Sequence, residues 1–339
     1  MKPQREYWID AIKILACALV VLGHFFQSVV TAGIIPDNQL YQSFNQSIYS
    51  FHVPLFFICS GYLYQKYSHV ASFSAWKSNV LKKLCALGIP YVVFSTVTWG
   101  LKTVFSGHTN SAIDAGLLDT LLLKPLSPYW YLYCLFFIFL ITPTFANRKT
   151  AGGFMLAALA LKLLSVHHAS GIYAVSTVCS NAIWFILGMY LCLADIRRLF
   201  CRKLSSLAST GCMVILLGYT IFITREWNAY ENFIIGFFAC AGIVLLSGSL
   251  FHQTEKSGFL KLASRYTMPI FLLHTLFAAP WRIVLMKAGI SSPAVHIVTG
   301  ILISFIGPVV AAEIMGRFRF LDILLYPLKY IRLDGSKTV

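Results

Sequence analysis

Residues 10 to 24 read Asp10-Ala-Ile-Lys13-Ile-Leu-Ala-Cys17-Ala-Leu-Val20-Val-Leu-Gly-His24. Positions 10, 13, 17, 20 and 24 follow the three-and-four spacing of one helical face, so an acid, an amine and an imidazole share a stripe on a segment otherwise suited to lipid. At roughly 100° and 1.5 Å per residue, Lys13 and His24 differ by about 20° in direction and about 16 Å in depth. Charged groups in a membrane helix are costly, rarely face lipid and mark pathways or reactive sites. The stripe therefore predicts that Asp10, Lys13 and His24 turn inward toward a shared cavity open to the cytosol.

Working outward from this segment, 58% of the 339 residues are hydrophobic and 12% charged, and the mean hydropathy is +0.73. That composition excludes an ordinary soluble domain and predicts an all-α, polytopic membrane helix bundle. Apolar stretches near 9–30, 48–64, 84–105, 129–145, 172–194, 204–224, 233–251, 268–286 and 293–315 can each cross about 30 Å of hydrocarbon. A weaker stretch, 152–166, is short and contains Lys162. Counting it gives about ten transmembrane helices. Most of the 27 basic residues, including Arg5, Lys66, Lys77, Lys82, Lys83, Arg197, Arg198, Arg265 and Arg317, then fall on one side. Lys102, Lys124, Lys162, Arg225, Arg282 and Lys287 fall on the other. The positive-inside rule places both termini in the cytoplasm.

The surplus of +15 is spread over short segments and is accounted for by topology, which argues against a nucleic-acid partner. The nine cysteines lie mostly within apolar spans without a CxxC pair, so they predict neither a disulfide framework nor a zinc site. A cleavable signal peptide is rejected because the first apolar run is too long and carries Asp10 and Lys13 on the His24 face. The polar stretches 31–46, 65–83 and 106–128 cannot bury cores of their own, so residues 1–339 form one membrane domain. Its end, 323–339, reads as a short interfacial segment and a polar cytoplasmic tail.

Several segments carry a further pattern. Tyr7-Trp8-Ile9-Asp10-Ala-Ile-Lys13 is followed after ten residues by His24. Phe51-His52-Val-Pro54-Leu-Phe56-Phe57-Ile-Cys-Ser60-Gly61-Tyr62 leads from a proline and paired aromatics to Ser-Gly. Trp130-Tyr131-Leu132, Trp184-Phe185-Ile-Leu-Gly188-Met189 and Tyr266-Thr267-Met-Pro-Ile-Phe271-Leu-Leu-His274 come after it. In this order they resemble the motifs of the acyltransferase-3 family of integral membrane acyltransferases. Lys13 stands where that family usually has arginine, and Cys85 and Ala86 stand where a further arginine is often found between Lys83 and Pro90.

The resemblance implies transfer of an acyl group, expected to be acetyl, to a hydroxyl of a cell-envelope glycan or its lipid-linked precursor. Acetyl-CoA is the implied co-substrate, no metal is expected, and the implied location is the bacterial cytoplasmic membrane. His24 and Asp10 are the candidate catalytic residues. His24 is the general base or a transient acyl carrier. Asp10 lies three to four turns from His24 and is expected to form a salt bridge with Lys13. Lys13, Lys82 and Lys83 are candidates for holding the polyanionic donor, with Ser60, Trp130 and His274 lining the substrate. His52 reads as structural, Glu313 as the partner of Arg317, and His167-His168 as lacking convergent metal ligands. A transporter or flippase of envelope lipids or glycolipids is the alternative use of the stripe, since intramembrane His, Lys and Asp also relay protons or bind head groups.

Overall fold

The computed structural model describes residues 5–68, 70–106, 113, 115–167, 171–200, 203–251 and 257–331. Lys2, His168, Arg202 and the tail after 331 lie outside the described residues. The first long helices are α1 (Tyr7–Thr31), α2 (Gln39–Tyr67) and α3 (Phe73–Lys83), the last running through a π-helical turn (Leu84–Gly88) into α4 (Ile89–Val104). A short α5 (Leu117–Leu122) precedes α6 (Trp130–Ile141), α7 (Arg148–His167) and α8 (Tyr173–Leu193). Then come α9 (Arg197–Phe200), α10 (Lys203–Phe222), α11 (Ala229–Phe251), α12 (Gly258–Lys287), α13 (Pro293–Met315) and α14 (Arg319–Leu325). The protein is an all-α, multi-pass membrane bundle.

Every apolar stretch of the sequence lies on a helix, but they do not all meet the demands of lipid. Among the described residues, eight helices are long and apolar enough to cross a membrane, counting α3 to α4 as one and including α7 with its lysine. The other two of the expected set are α2 and α6. With 12 residues α6 is too short, spanning about 18 Å at 1.5 Å per residue. Its Tyr131, Leu132, Cys134, Leu135, Ile138 and Phe139 are buried. The 29 residues of α2 are long enough but carry Asn45, Gln46, Ser47, Ser50 and His52. These polar groups are tolerated because α2 packs along α8, α1 and α11, so protein replaces lipid around it.

Glycines set how closely that central helix is gripped. A Cβ on Gly61 of α2 would lie 1.9 Å from the carbonyl oxygen of Phe185 in α8, and one on Gly188 of α8 would lie 2.0 Å from that of Ile58 in α2. Only hydrogen fits at both positions, so the Ser-Gly and aromatic-x-x-Gly motifs are the two halves of one helix crossing.

Prolines open a second kind of contact. Pro54 has no N–H for the Ser50 carbonyl one turn back, and Gly236 of α11 packs against that oxygen. Pro269 likewise frees the Arg265 carbonyl, which accepts the Tyr326 hydroxyl at 2.9 Å. Pro90 cannot donate to Ala86, and the chain widens there into the π turn.

Side chains at the two ends show which termini share a side. At one end Glu6 pairs with Lys66 and, at 3.7 Å, with Arg197. Arg265 meets Glu313 at 3.4 Å there, and the Tyr266 hydroxyl donates to Glu313 at 2.6 Å. At the far end Arg225 pairs with Glu231 at 2.5 Å and Tyr230 contacts His167. The described N- and C-terminal segments therefore lie at the same, basic end. Glu313 takes Arg265 rather than the expected Arg317, because α12 brings its second turn beside the end of α13.

Candidate active site

Helix α1 runs from the basic end with Asp10 in its first turn and reaches His24 about 21 Å later. His24 sits beside His274 of α12, ring centroids 5.4 Å apart, and Tyr49 of α2, 6.3 Å away. Tyr49 in turn packs edge-on against His52 at 4.8 Å. Both neighbouring imidazoles are tied to their own helices. The His274 Nδ1 lies 3.0 Å from the carbonyl oxygens of both Ile270 and Phe271, and the His52 Nδ1 lies 2.5 Å from that of Ile48. A ring nitrogen against a carbonyl oxygen has to carry the proton, so in the neutral rings of His274 and His52 Nε2 is the acceptor. The His274 Nε2 is buried and has no hydrogen-bond partner among the described residues.

His24 borders a cavity of about 220 Å³. Its Nε2 is 3.5 Å from the Ser127 hydroxyl, on the loop that leads into α6. Tyr49, Trp130, Trp184, Phe233 and Phe271 give the cavity aromatic walls, and Lys162, Asn181 and Asn232 give it polar ones. Ala229 and Asn232, in the first turn of α11, place it toward the far end.

Three lysines gather toward the basic end. Lys13 and Lys82 lie within electrostatic range of Lys83, whose ammonium sits 4.0 Å above the Phe139 ring and 6.0 Å from that of Tyr64. Among the described residues none of the three has a carboxylate partner. The widened turn after Lys83 re-aims this lysine pair relative to α4 and its Pro90.

Several expectations from the sequence change here. Asp10 pairs with Arg5 at 2.5 Å, not with Lys13, because the residues before Tyr7 leave helical geometry and Arg5 folds back over the first turn. Arg5 also reaches Ser264 of α12. Asp10 and Lys13 do not border the His24 cavity: Val20, one turn back from His24, is on its wall, and the buried Cys17 lies between Val20 and Lys13. The Cys17 thiol donates to the Thr267 carbonyl oxygen at 3.4 Å. Ser60 is likewise off the cavity wall, its hydroxyl 3.2 Å from that of Tyr131. His274 stands behind His24, and Trp130 is on the wall.

Sequence reading passed over Tyr49, Ser127, Lys162, Asn181 and Asn232. The one signal available was Lys162, a lone cation in an otherwise apolar segment. Among the described residues no group of three or more His, Cys, Asp or Glu side chains is placed to hold a metal ion.

A profile described as an acyltransferase domain matches residues 6–313. The chain belongs to the acyltransferase-3 family. It is similar to the nodulation protein NolL of Sinorhizobium fredii, 31% identical over 157 residues, which is 46% of this chain and 41% of that protein. It is also similar to NolL of Mesorhizobium japonicum, 30% identical over 137 residues, 40% of this chain and 35% of that protein. The chain thus matches less than half the length of these curated relatives. No solved structure matches it.

Proposed function

We propose that the protein moves an acetyl group from cytosolic acetyl-CoA to a hydroxyl of a cell-envelope glycan or its lipid-linked precursor, with His24 as general base. One observation carries this reading: a single helix presents an imidazole to an aromatic and polar cavity at one end and a lysine, grouped with two more, at the other. The positive-inside rule puts the lysine end in the cytosol. There Lys13, Lys82 and Lys83 receive the donor's phosphates, each as a point charge rather than a guanidinium fork. The thin pantetheine arm spans the roughly 16 Å from Lys13 to His24, and the packing at Cys17 and Val20 has to part by its width.

In the transfer the acceptor hydroxyl gives its proton to the His24 Nε2 as its oxygen bonds to the thioester carbonyl carbon. The tetrahedral centre then collapses, the carbon–sulfur bond breaks, and the thiolate leaves with the proton from the imidazolium. His274 acts as a positioning residue. Its Nε2 lone pair, unpartnered among the described residues with the two ring centroids 5.4 Å apart, accepts the His24 Nδ1–H once bound substrate draws the rings together, and so keeps His24 Nε2 turned to the substrate. The polar and aromatic walls suit a hydroxyl-rich ring better than a hydrocarbon chain. Asp10 has no part in the proton transfer and serves to hold Arg5 against the start of α12.

The test uses purified protein in proteoliposomes with acetyl-CoA radiolabelled on the acetyl group. His24→Ala is expected to lower donor turnover by about 10²- to 10⁴-fold. Lys13→Ala should raise the donor KM with little change in kcat, and Lys13→Arg should restore it. Donor turnover untouched by His24→Ala would refute the assignment. Movement of a lipid-linked glycan without donor consumption would support transport instead.

A further inference from the structure

Lys162 is the least expected group in the cavity. It belongs to α7, the least apolar of the eight helices able to span a membrane, and a lysine near a helix end usually snorkels to the lipid head groups. Here it turns inward: Lys162 is part of the cavity wall and its ammonium lies 5.9 Å from the centre of the Phe233 ring. Phe233 is held in place against Trp184, ring centroids 5.2 Å apart. Among the described residues no carboxylate pairs with Lys162. A cation facing a cavity inside a membrane protein without a counter-charge is costly unless a ligand supplies one.

Two amides share the wall. The Asn181 Nδ2 donates to the Thr177 carbonyl at 2.8 Å, which fixes the side chain and leaves its Oδ1 to accept from a ligand hydroxyl. Asn232 stands in the first turn of α11 on the same wall. Trp130 and Trp184 add apolar ring surface to the wall, which suits the C–H side of a sugar ring.

We propose that Lys162, Asn181 and Asn232 form a subsite for an acid group carried by the acceptor sugar, a carboxylate or a phosphate, so that the enzyme acylates acidic rather than neutral glycans. This deepens the reading above, from which it takes the cavity as the acceptor's place. Lys162 binds the acid group, the amides bind neighbouring hydroxyls, and the ring is held with one free hydroxyl toward His24. Lys162 is a specificity residue in this scheme and transfers no proton.

Because Trp130 and Trp184 border the cavity, tryptophan fluorescence of the full chain in detergent micelles reports its filling. Three probes differ only at C6: methyl β-glucuronoside, methyl β-glucoside 6-phosphate and methyl β-glucoside. Wild type is expected to bind at least one acidic probe about 10- to 100-fold more tightly than the neutral one, the scale of a hydrogen bond to a charged group. Comparison of the two acidic arms tells carboxylate from phosphate. Lys162→Gln should bring the ratio of acidic to neutral affinity close to one, and Lys162→Arg should restore it. Equal affinities in wild type, no saturable change with any probe, or a preference that survives Lys162→Gln would each overturn the proposal. No donor is present, so these outcomes are independent of whether acetyl-CoA is turned over or His24 is the base. Those claims stand or fall in the radiolabel assay.

Discussion

Replacing Gly61 by alanine puts a methyl group where the structure has a neighbouring backbone. The new Cβ would lie 1.9 Å from the Phe185 oxygen, whereas ordinary contact begins at 3.4 Å, so α8 has to retreat by about 1.5 Å. Phe185 cannot yield alone: it is fully buried and wedged between Phe139 at 5.1 Å and Tyr64 at 5.7 Å. Overpacking costs about 1–3 kcal/mol, occasionally more, and a clash with backbone rather than with a side-chain tip belongs at the upper end, about 3 kcal/mol. At about 2–4 °C per kcal/mol, this lowers the unfolding midpoint by about 6–12 °C. The same shift separates Tyr49 and His52 on α2 from Asn181 and Trp184 on α8, so activity should fall with stability. The assay is thermal unfolding in detergent, followed by tryptophan fluorescence on the monodisperse fraction. Gly152→Ala serves as the control, since a Cβ there meets nothing within 4 Å. It should match wild type or gain up to about 1 kcal/mol from helix propensity. A Gly61→Ala midpoint within about 2 °C of wild type would show that the helices are not in backbone contact.

Three further outcomes are expected. His274→Gln should lower kcat by about 10- to 100-fold with the donor KM unchanged, and should alter the pH profile of kcat; a lower rate with an unaltered profile would reduce His274 to packing. Asp10→Asn loses only an ion pair with an exposed Arg5, worth about 0–1 kcal/mol, so kcat should stay within about threefold of wild type. A hundredfold loss in the radiolabel assay would return Asp10 to the chemistry. Asp322 is buried, which by itself raises its carboxyl, but hydrogen bonds from Lys329 and Tyr330 outweigh that and hold it below its ordinary 3.8. Its contribution to stability is complete above pH 3.8 and fades as the pH falls through the lowered value. Asp322→Asn should therefore flatten the acid limb of a stability curve measured by thermal unfolding, and an unchanged limb would disprove the linkage.

The sequence was most informative where the physics is local. Apolar runs long enough for hydrocarbon became helices, and the spacing from Asp10 to His24 gave the register of α1 because helical geometry repeats whatever surrounds it. Cys17 and Val20, on the same stripe, turned out buried as that register requires. The Ser-Gly and aromatic-x-x-Gly segments were legible as places of close approach, though not as partners of each other. Hydropathy described α2 and α6 least well: α2 carries polar residues because protein rather than lipid surrounds much of it, and the apolar run around α6 is helical over only 12 residues.

Sequence by itself determined that this chain is a helical membrane bundle, which family it joins, and which histidine on the first helix merits attention. Only the tertiary structure decided the partners. Asp10 meets Arg5 and not Lys13, Glu313 meets Arg265 and not Arg317, and Lys162 faces the cavity of His24 rather than lipid. The reason is one of range. Hydropathy and helical period act over a turn or a span, whereas a side chain's partner depends on which distant helix the packing of small residues brings beside it.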